Sequence, residues 1–197
     1  MFGNLSPATR TLLLLNVGVF IFQVVLPGAL EPWFALWPLG TRFEPWQLLT
    51  YGFLHGGIGH IIFNMLGLIT FGNELERVWG SRRFTVFFLA SVVAAALTQL
   101  IVTRAMGENV PTVGASGGIY GLLLGFAILF PNRRIVPLIP PIPMPAWIYA
   151  VLFGALELYL GVTGTASGVA HFAHLGGMLG AVMVLASWRF GGRRDRP

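Results

Sequence analysis

Residues 57–79 read GIGHIIFNMLGLITFGNELERVW, an apolar run broken early by His60 and Asn64 and charged only at its far end, at Glu74, Glu76 and Arg77. About 20 apolar residues carry a helix across the hydrocarbon core of a bilayer, so this stretch reads as a membrane span. His60 and Asn64 are four residues apart and share one helix face. Polar side chains at membrane depth are costly and by default mark function.

The same reading extends outward along the chain. Residues 11–30, 84–103, 113–130, 146–162 and 168–188 are the other candidate spans, which makes six in all. The first lacks a basic run before it and a clear small-x-small cleavage site, so it reads as a retained helix rather than a signal peptide. Residues 31–56, with Trp33, Trp37 and Trp46, are long for a connection and are expected to carry local structure, with the indoles at headgroup level. Five prolines between 137 and 145 predict a non-helical connector, and residues 191–197 form a basic tail. No internal repeat is visible, which counts against a transporter built from duplicated halves.

Composition agrees. Of 197 residues, 55% are hydrophobic and only 10% charged, against about 25% charged in a soluble domain. That leaves too little polar surface to cover a water-exposed globule. There is no Cys, which removes disulfides, thiolate metal sites and a cysteine nucleophile. The net charge of +5 comes from 12 arginines. Arg10, Arg77, Arg82, Arg83, Arg133, Arg134, Arg189, Arg193, Arg194 and Arg196 fall on one side of a six-span topology, and only Arg42 and Arg104 on the other. The arginine-rich side, with both termini, is expected to be cytoplasmic. The basic charge therefore reads as topology, and no nucleic-acid partner is expected.

Two further spans carry polar groups near the same level as His60 and Asn64. The fourth opens with Gly114-Ala115-Ser116-Gly117-Gly118-Ile119-Tyr120, and the sixth contains Ala170-His171-Phe172-Ala173-His174-Leu175-Gly176-Gly177. By the topology above, all three clusters lie toward the non-cytoplasmic ends of their helices. A serine hydroxyl needs a base to take its proton, and a neutral imidazole does so near pH 7. Ser116 stands at a helix start, where unpaired N–H groups favour a developing oxyanion. His60 and Asn64 can add side-chain donors. Asp195, the only aspartate, lies in the tail, so a Ser–His dyad is expected unless Glu157 of the fifth span serves as the acid. Otherwise Glu157 reads as a snorkelling, protonated or cavity-facing carboxyl, or as a substrate contact. His55 reads as structural, and His171 as a packing or loop-facing residue. Gly117, Gly121 and Gly125 form a small-residue stripe on span four; Gly176 with Gly180, or Gly177 with Ala181, forms one on span six. Packed together, these stripes would draw Ser116 toward the histidines.

His60-x-x-x-Asn64, Gly114-Ala115-Ser116-Gly117 and Ala173-His174-x-x-Gly177, on spans two, four and six, resemble the rhomboid intramembrane serine proteases. The resemblance covers nearly the whole chain. It implies an all-α membrane protein: a single domain over residues 1–197, a six-transmembrane-helix bundle with cytoplasmic N- and C-termini. It further implies a serine endopeptidase of the bacterial inner membrane, acting on peptide bonds in or near transmembrane segments of protein substrates. Ser116 would be the nucleophile, His174 the base, and His60, Asn64 and the Ser116 N–H the oxyanion hole. Tyr120 would pack on the histidine, with Gly114, Gly117 and Gly177 supporting the site. Glu76 and Gly80 match a structural motif of the family. Trp46-Gln47 departs from the Trp-Arg of some members, which leaves a loop-anchoring contact to be accounted for. No cofactor and no metal are implied, and the partners are the substrate and the lipid bilayer.

Three other readings use the same residues. A metal-dependent protease or metal carrier would draw on the four histidines, but His55 and His60 are five apart, without the intervening Glu of a zinc helix. A pseudoprotease would bind membrane proteins without cutting them, and typically lacks the Ser or the His. A transporter would need a continuous polar file, and none is visible toward the cytoplasmic side.

Overall fold

The computed structural model describes residues 5–138, 140–165 and 169–191. Gly168, the expected start of span six, and residues 192–197 of the tail, with Arg193, Arg194, Asp195 and Arg196, lie outside the described residues.

The fold is helical. α1 is Pro7–Val25; α2 (Glu31–Phe34) and α3 (Gln47–Thr50) are single turns in the loop that follows. α4 (Ile58–Gly67) runs through one wide turn at Leu68–Gly72 into α5 (Asn73–Met106). α6 is Ser116–Leu129, α7 Ala146–Thr163 and α8 His171–Gly191. Four helical runs are long and apolar enough to cross a membrane: Pro7–Val25, Ile58–Met106, Ala146–Thr163 and His171–Arg189. Ser116–Leu129 is shorter.

Expected spans 57–79 and 84–103 thus lie within one nearly continuous helical run. What divides them is Gly80, with φ 74° and ψ 160° inside α5. A side chain is strained in that region, so glycine is the residue that allows the break. Backbone conformation also trims the other ends. Pro7 starts α1 before the first apolar residue expected, and α6 cannot begin before Gly114, whose φ is 130°.

α5, α6 and α8 form the centre of the bundle and pack most extensively on one another. Phe84, Phe87 and Phe88 of α5 and Leu122 of α6 are buried in the common core. The small-residue stripes divide their work differently from the expectation. A Cβ at Gly176 or Gly180 would strike Thr98 or Ala94 of α5, and one at Gly125 would strike Phe87 of the same helix. The tightest α6–α8 approach is at Gly177, where a Cβ would lie 1.9 Å from the carbonyl oxygen of Gly117.

The 31–56 loop is structured, as its length implies. Gln47 is fully buried: its Oε1 accepts from the Trp37 N–H (3.1 Å), and its amide donates to the carbonyls of Arg42 (3.0 Å) and Trp33 (3.3 Å). Gln47 therefore anchors the loop by neutral hydrogen bonds where an arginine was the alternative. Tyr51 ties the loop to the bundle, its hydroxyl donating to the Val92 carbonyl (2.8 Å) and its own carbonyl accepting from Gly114 N–H (2.9 Å). The proline-rich connector is non-helical, with a two-residue antiparallel pairing of β1 (Arg134–Ile135) and β2 (Met144–Pro145). Glu74 lies 3.7 Å from Arg77 and 3.4 Å from Arg133, so arginines expected on one side of the membrane meet at one end of the bundle.

Glu76 is buried and accepts from Ala8 N–H, Thr9 N–H, the Thr9 hydroxyl and the Ser81 hydroxyl, at 2.6–2.8 Å. It satisfies first-turn N–H groups that α1 cannot satisfy itself, and joins that helix start to the break at Gly80. Glu76→Ala leaves buried donors unpaired and is expected to cost about 2 kcal/mol or more. Thermal unfolding in detergent should show a lower Tm, with activity per folded molecule retained.

Candidate active site

The N-terminal ends of α4, α6 and α8 converge on one cavity of about 1630 Å³, lined by His60, Asn64, Ser116, Tyr120, His171 and His174 among others. Ser116 is the first residue of α6 and Ala115 its cap, so the Ser116 and Gly117 N–H groups belong to the unpaired first turn. His174 lies in the first turn of α8. The Gly117–Gly177 approach brings these two helix starts together, and His174 Nε2 stands 2.7 Å from Ser116 Oγ. The Tyr120 ring, one turn further along α6, stacks on the imidazole with centroids 4.3 Å apart and planes 5° from parallel.

Gly114 shapes the other wall. A Cβ there would lie 2.7 Å from His60 Nε2 and Cε1 and 3.6 Å from Ser116 Oγ. Only a residue without a side chain lets the His60 ring stand beside the serine, and the positive φ makes the same demand. His60 Nδ1 accepts from the Gly56 N–H at 3.3 Å, which leaves its Nε2 edge toward Gly114. Buried Asn64 donates one amide hydrogen to the His60 carbonyl (3.0 Å) and keeps a second donor. His55 is buried, edge-on to Phe20 and to His60.

Two residues take positions that the sequence left open. Glu157 neither snorkels nor faces open space: it is 6% exposed and points from α7 into the histidines. One carboxylate oxygen accepts from the Tyr120 hydroxyl. The other lies 2.6 Å from His171 Nδ1 and 3.0 Å from His174 Nδ1. His171, expected to pack or face a loop, is buried against that carboxylate. The signal in the sequence was Glu157 itself, the one carboxylate inside span five. Tyr51, which braces Gly114 from the loop, carried no such signal.

Glu157, His171 and His174 also offer three ligand atoms within 4.8 Å of one another, a donor set suited to zinc. The 2.6 Å separation at His171 is that of a direct hydrogen bond, while His174 Nδ1, at 3.0 Å, is close to the carboxylate without being aligned for one. Neighbouring ligands around tetrahedral zinc stand about 3.3 Å apart.

The sequence model of the Rhomboid domain matches residues 42–189. The chain belongs to the rhomboid family. Members of this family are known as intramembrane proteases, and this rhomboid is an integral membrane protein with the helical bundle that its apolar helices require. It is 34% identical to RHOMBOID-like protein 4 of Arabidopsis thaliana over 148 residues, 72% of this chain and 35% of that protein. It is 29% identical to rhomboid protease GluP of Bacillus subtilis over 145 residues, 73% of this chain and 26% of that one. It is also 29% identical to rhomboid protease GlpG of Klebsiella pneumoniae over 132 residues, 66% of this chain and 46% of that one. The rhomboid described here spans between about a quarter and about half the length of these relatives.

Proposed function

We propose that this rhomboid is a serine endopeptidase that hydrolyses peptide bonds in or near transmembrane segments of other membrane proteins. The observation that carries the reading is the 2.7 Å contact between Ser116 Oγ and His174 Nε2 at the start of α6, open to the cavity. Ser116 Oγ attacks the scissile carbonyl carbon as its proton passes to His174 Nε2. The negative charge gathers on the substrate oxygen, which the Ser116 N–H, His60 Nε2 and the free Asn64 amide hydrogen stabilise. His174 returns the proton to the leaving amine, and a water activated by the same imidazole cleaves the acyl-enzyme. Gly114, Gly117 and Gly177 support this geometry by letting His60 and α8 close on Ser116, and Tyr120 holds the plane of the base.

Phe63 and Leu66 of α4 and Phe153 and Leu160 of α7 line the same cavity, an apolar lining suited to a segment arriving from lipid. A helical substrate shields its carbonyls in its own hydrogen bonds, so local unwinding and small residues at the cut favour reaction. The arginines gathered at the opposite end of the bundle support a site toward the non-cytoplasmic face, across one membrane domain spanning residues 1–197.

The test is cleavage of a model transmembrane substrate by detergent-purified protein, with and without a fluorophosphonate probe or a chelator. Covalent labelling at Ser116, with loss of cleavage and indifference to chelator, is the expected result. Loss to chelator alone would move the chemistry to the Glu157, His171 and His174 ligand set. His60→Ala and Asn64→Ala each remove one oxyanion donor and are expected to lower kcat by about 10²–10³-fold, with KM little changed.

A further inference from the structure

The outward faces of α7 are apolar and exposed, among them Val151, Leu152, Leu156 and Tyr159. The residues α7 buries are Ala146 and Ala150 in its first turns and, beyond them, Glu157. Gly154 and Gly161, three before and four after Glu157, share its face. A Cβ at Gly154 would rest 3.6 Å from Met178, and one at Gly161 would rest 3.0 Å from Phe172 and 3.2 Å from His171 Cβ, all on α8. The seam is stripped to backbone on both sides of a single carboxylate, which brings a short side chain within reach of two imidazoles. A carboxylate is an expensive group to leave in such a seam, and packing alone gives no reason for it.

From these contacts we propose that Glu157 is a positioning residue for His174, the third member of a Ser116–His174–Glu157 relay. The inference rests on the reading of Ser116 and His174 as nucleophile and base. With a carboxylate at Nδ1, the imidazole keeps its proton on that nitrogen and turns the Nε2 lone pair toward Ser116 Oγ, the tautomer a general base requires. When the serine proton arrives at Nε2, the imidazolium forms beside a fixed negative charge. Tyr120 serves twice: its ring sets the plane of His174, and its hydroxyl holds the second oxygen of Glu157. His171 Nδ1 supplies a second donor, so the carboxylate is held from α6 and from α8. At rest, the 3.0 Å His174 contact lies off the line of a hydrogen bond. Catalytic hydrogen bonds commonly tighten only with substrate bound.

The test compares wild type, Glu157→Gln and Ser116→Ala for kcat, KM, the rate of fluorophosphonate labelling and the ¹⁵N signals of His174. Glu157→Gln preserves size while removing the charge. It is expected to fold, to lose about 10²-fold or more in kcat and labelling rate without a rise in KM, and to lose the Nδ1–H tautomer signature. Wild-type kcat and labelling in Glu157→Gln, or a deficit fully explained by less folded protein, overturns the inference. If Glu157→Gln does not fold, Tyr120→Phe puts the question again, since it frees one carboxylate oxygen and keeps the stacked ring. About a tenfold loss of kcat at constant KM is then expected, and wild-type kcat overturns the inference. Cleavage surviving in Ser116→Ala would instead sink the protease reading beneath it.

Discussion

Ser116→Ala is expected to abolish cleavage of a transmembrane substrate, lowering kcat by about 10⁴-fold or more while the protein folds and binds substrate as before. His174→Ala should fall to the same floor, because a serine without its base and a base without its serine are equally idle. The double variant should be no worse than either single one, since residues that act as a unit are not additive. The residual rate then belongs to the oxyanion donors and to binding. His171→Ala is the control for the choice of base. His171 Nδ1 contacts the Glu157 carboxylate, whereas the imidazole beside Ser116 Oγ is that of His174, so loss of His171 should cost less than loss of His174. Activity retained in His174→Ala but lost in His171→Ala would mean that the roles are exchanged.

Gly177→Ala is expected to be nearly as damaging by an entirely different route. Its added methyl would sit 1.9 Å from the Gly117 carbonyl oxygen, well inside contact distance and against backbone that cannot rotate away. α6 and α8 must part by more than an ångström, and these helices carry Ser116 and His174. Overpacking of this kind costs about 1–3 kcal/mol in stability, and a 1 Å misplacement at a reacting pair costs about 10² in rate. Both a lower Tm and at least that loss in kcat are expected. Gly18→Ala in α1, where nothing lies within 4 Å of the added Cβ, should change neither. Equal behaviour of the two variants would show that the helix approach at Gly177 does not set the Ser–His distance.

Departures between the sequence and the structure fall where contacts cross between helices. His60 and Asn64 share a face by four-residue spacing alone, and Ser116 reads as lying near the start of its span; both were legible, while the φ of 130° at Gly114, which moves the start from residue 113 to Ser116, was not. The rotation of α7 was not. In a soluble helix a polar stripe shows which face looks outward. In α7 the residues facing lipid and those facing protein are equally apolar, so spacing gives no phase and cannot say where Glu157 points. The same ambiguity left Gly176–Gly180 and Gly177–Ala181 as equal candidates for the α6 contact, until packing assigned Gly176 and Gly180 to α5 and Gly177 to α6. Gln47 illustrates the converse: a different residue type in the loop keeps an anchoring role because backbone carbonyls and N–H groups, rather than a charge, are its partners.

By itself the sequence determined the solvent of this protein, the apolar segments that meet it, and the few polar residues at depth, because both the hydropathy of a segment and the spacing along one helix are local properties. Tertiary structure alone decided that Glu157 and His171 join Ser116, His174 and Tyr120 in one network. Those contacts link residues 14 to 58 positions apart on three helices, and no local pattern encodes a distance that depends on how closely glycine seams allow helix backbones to approach.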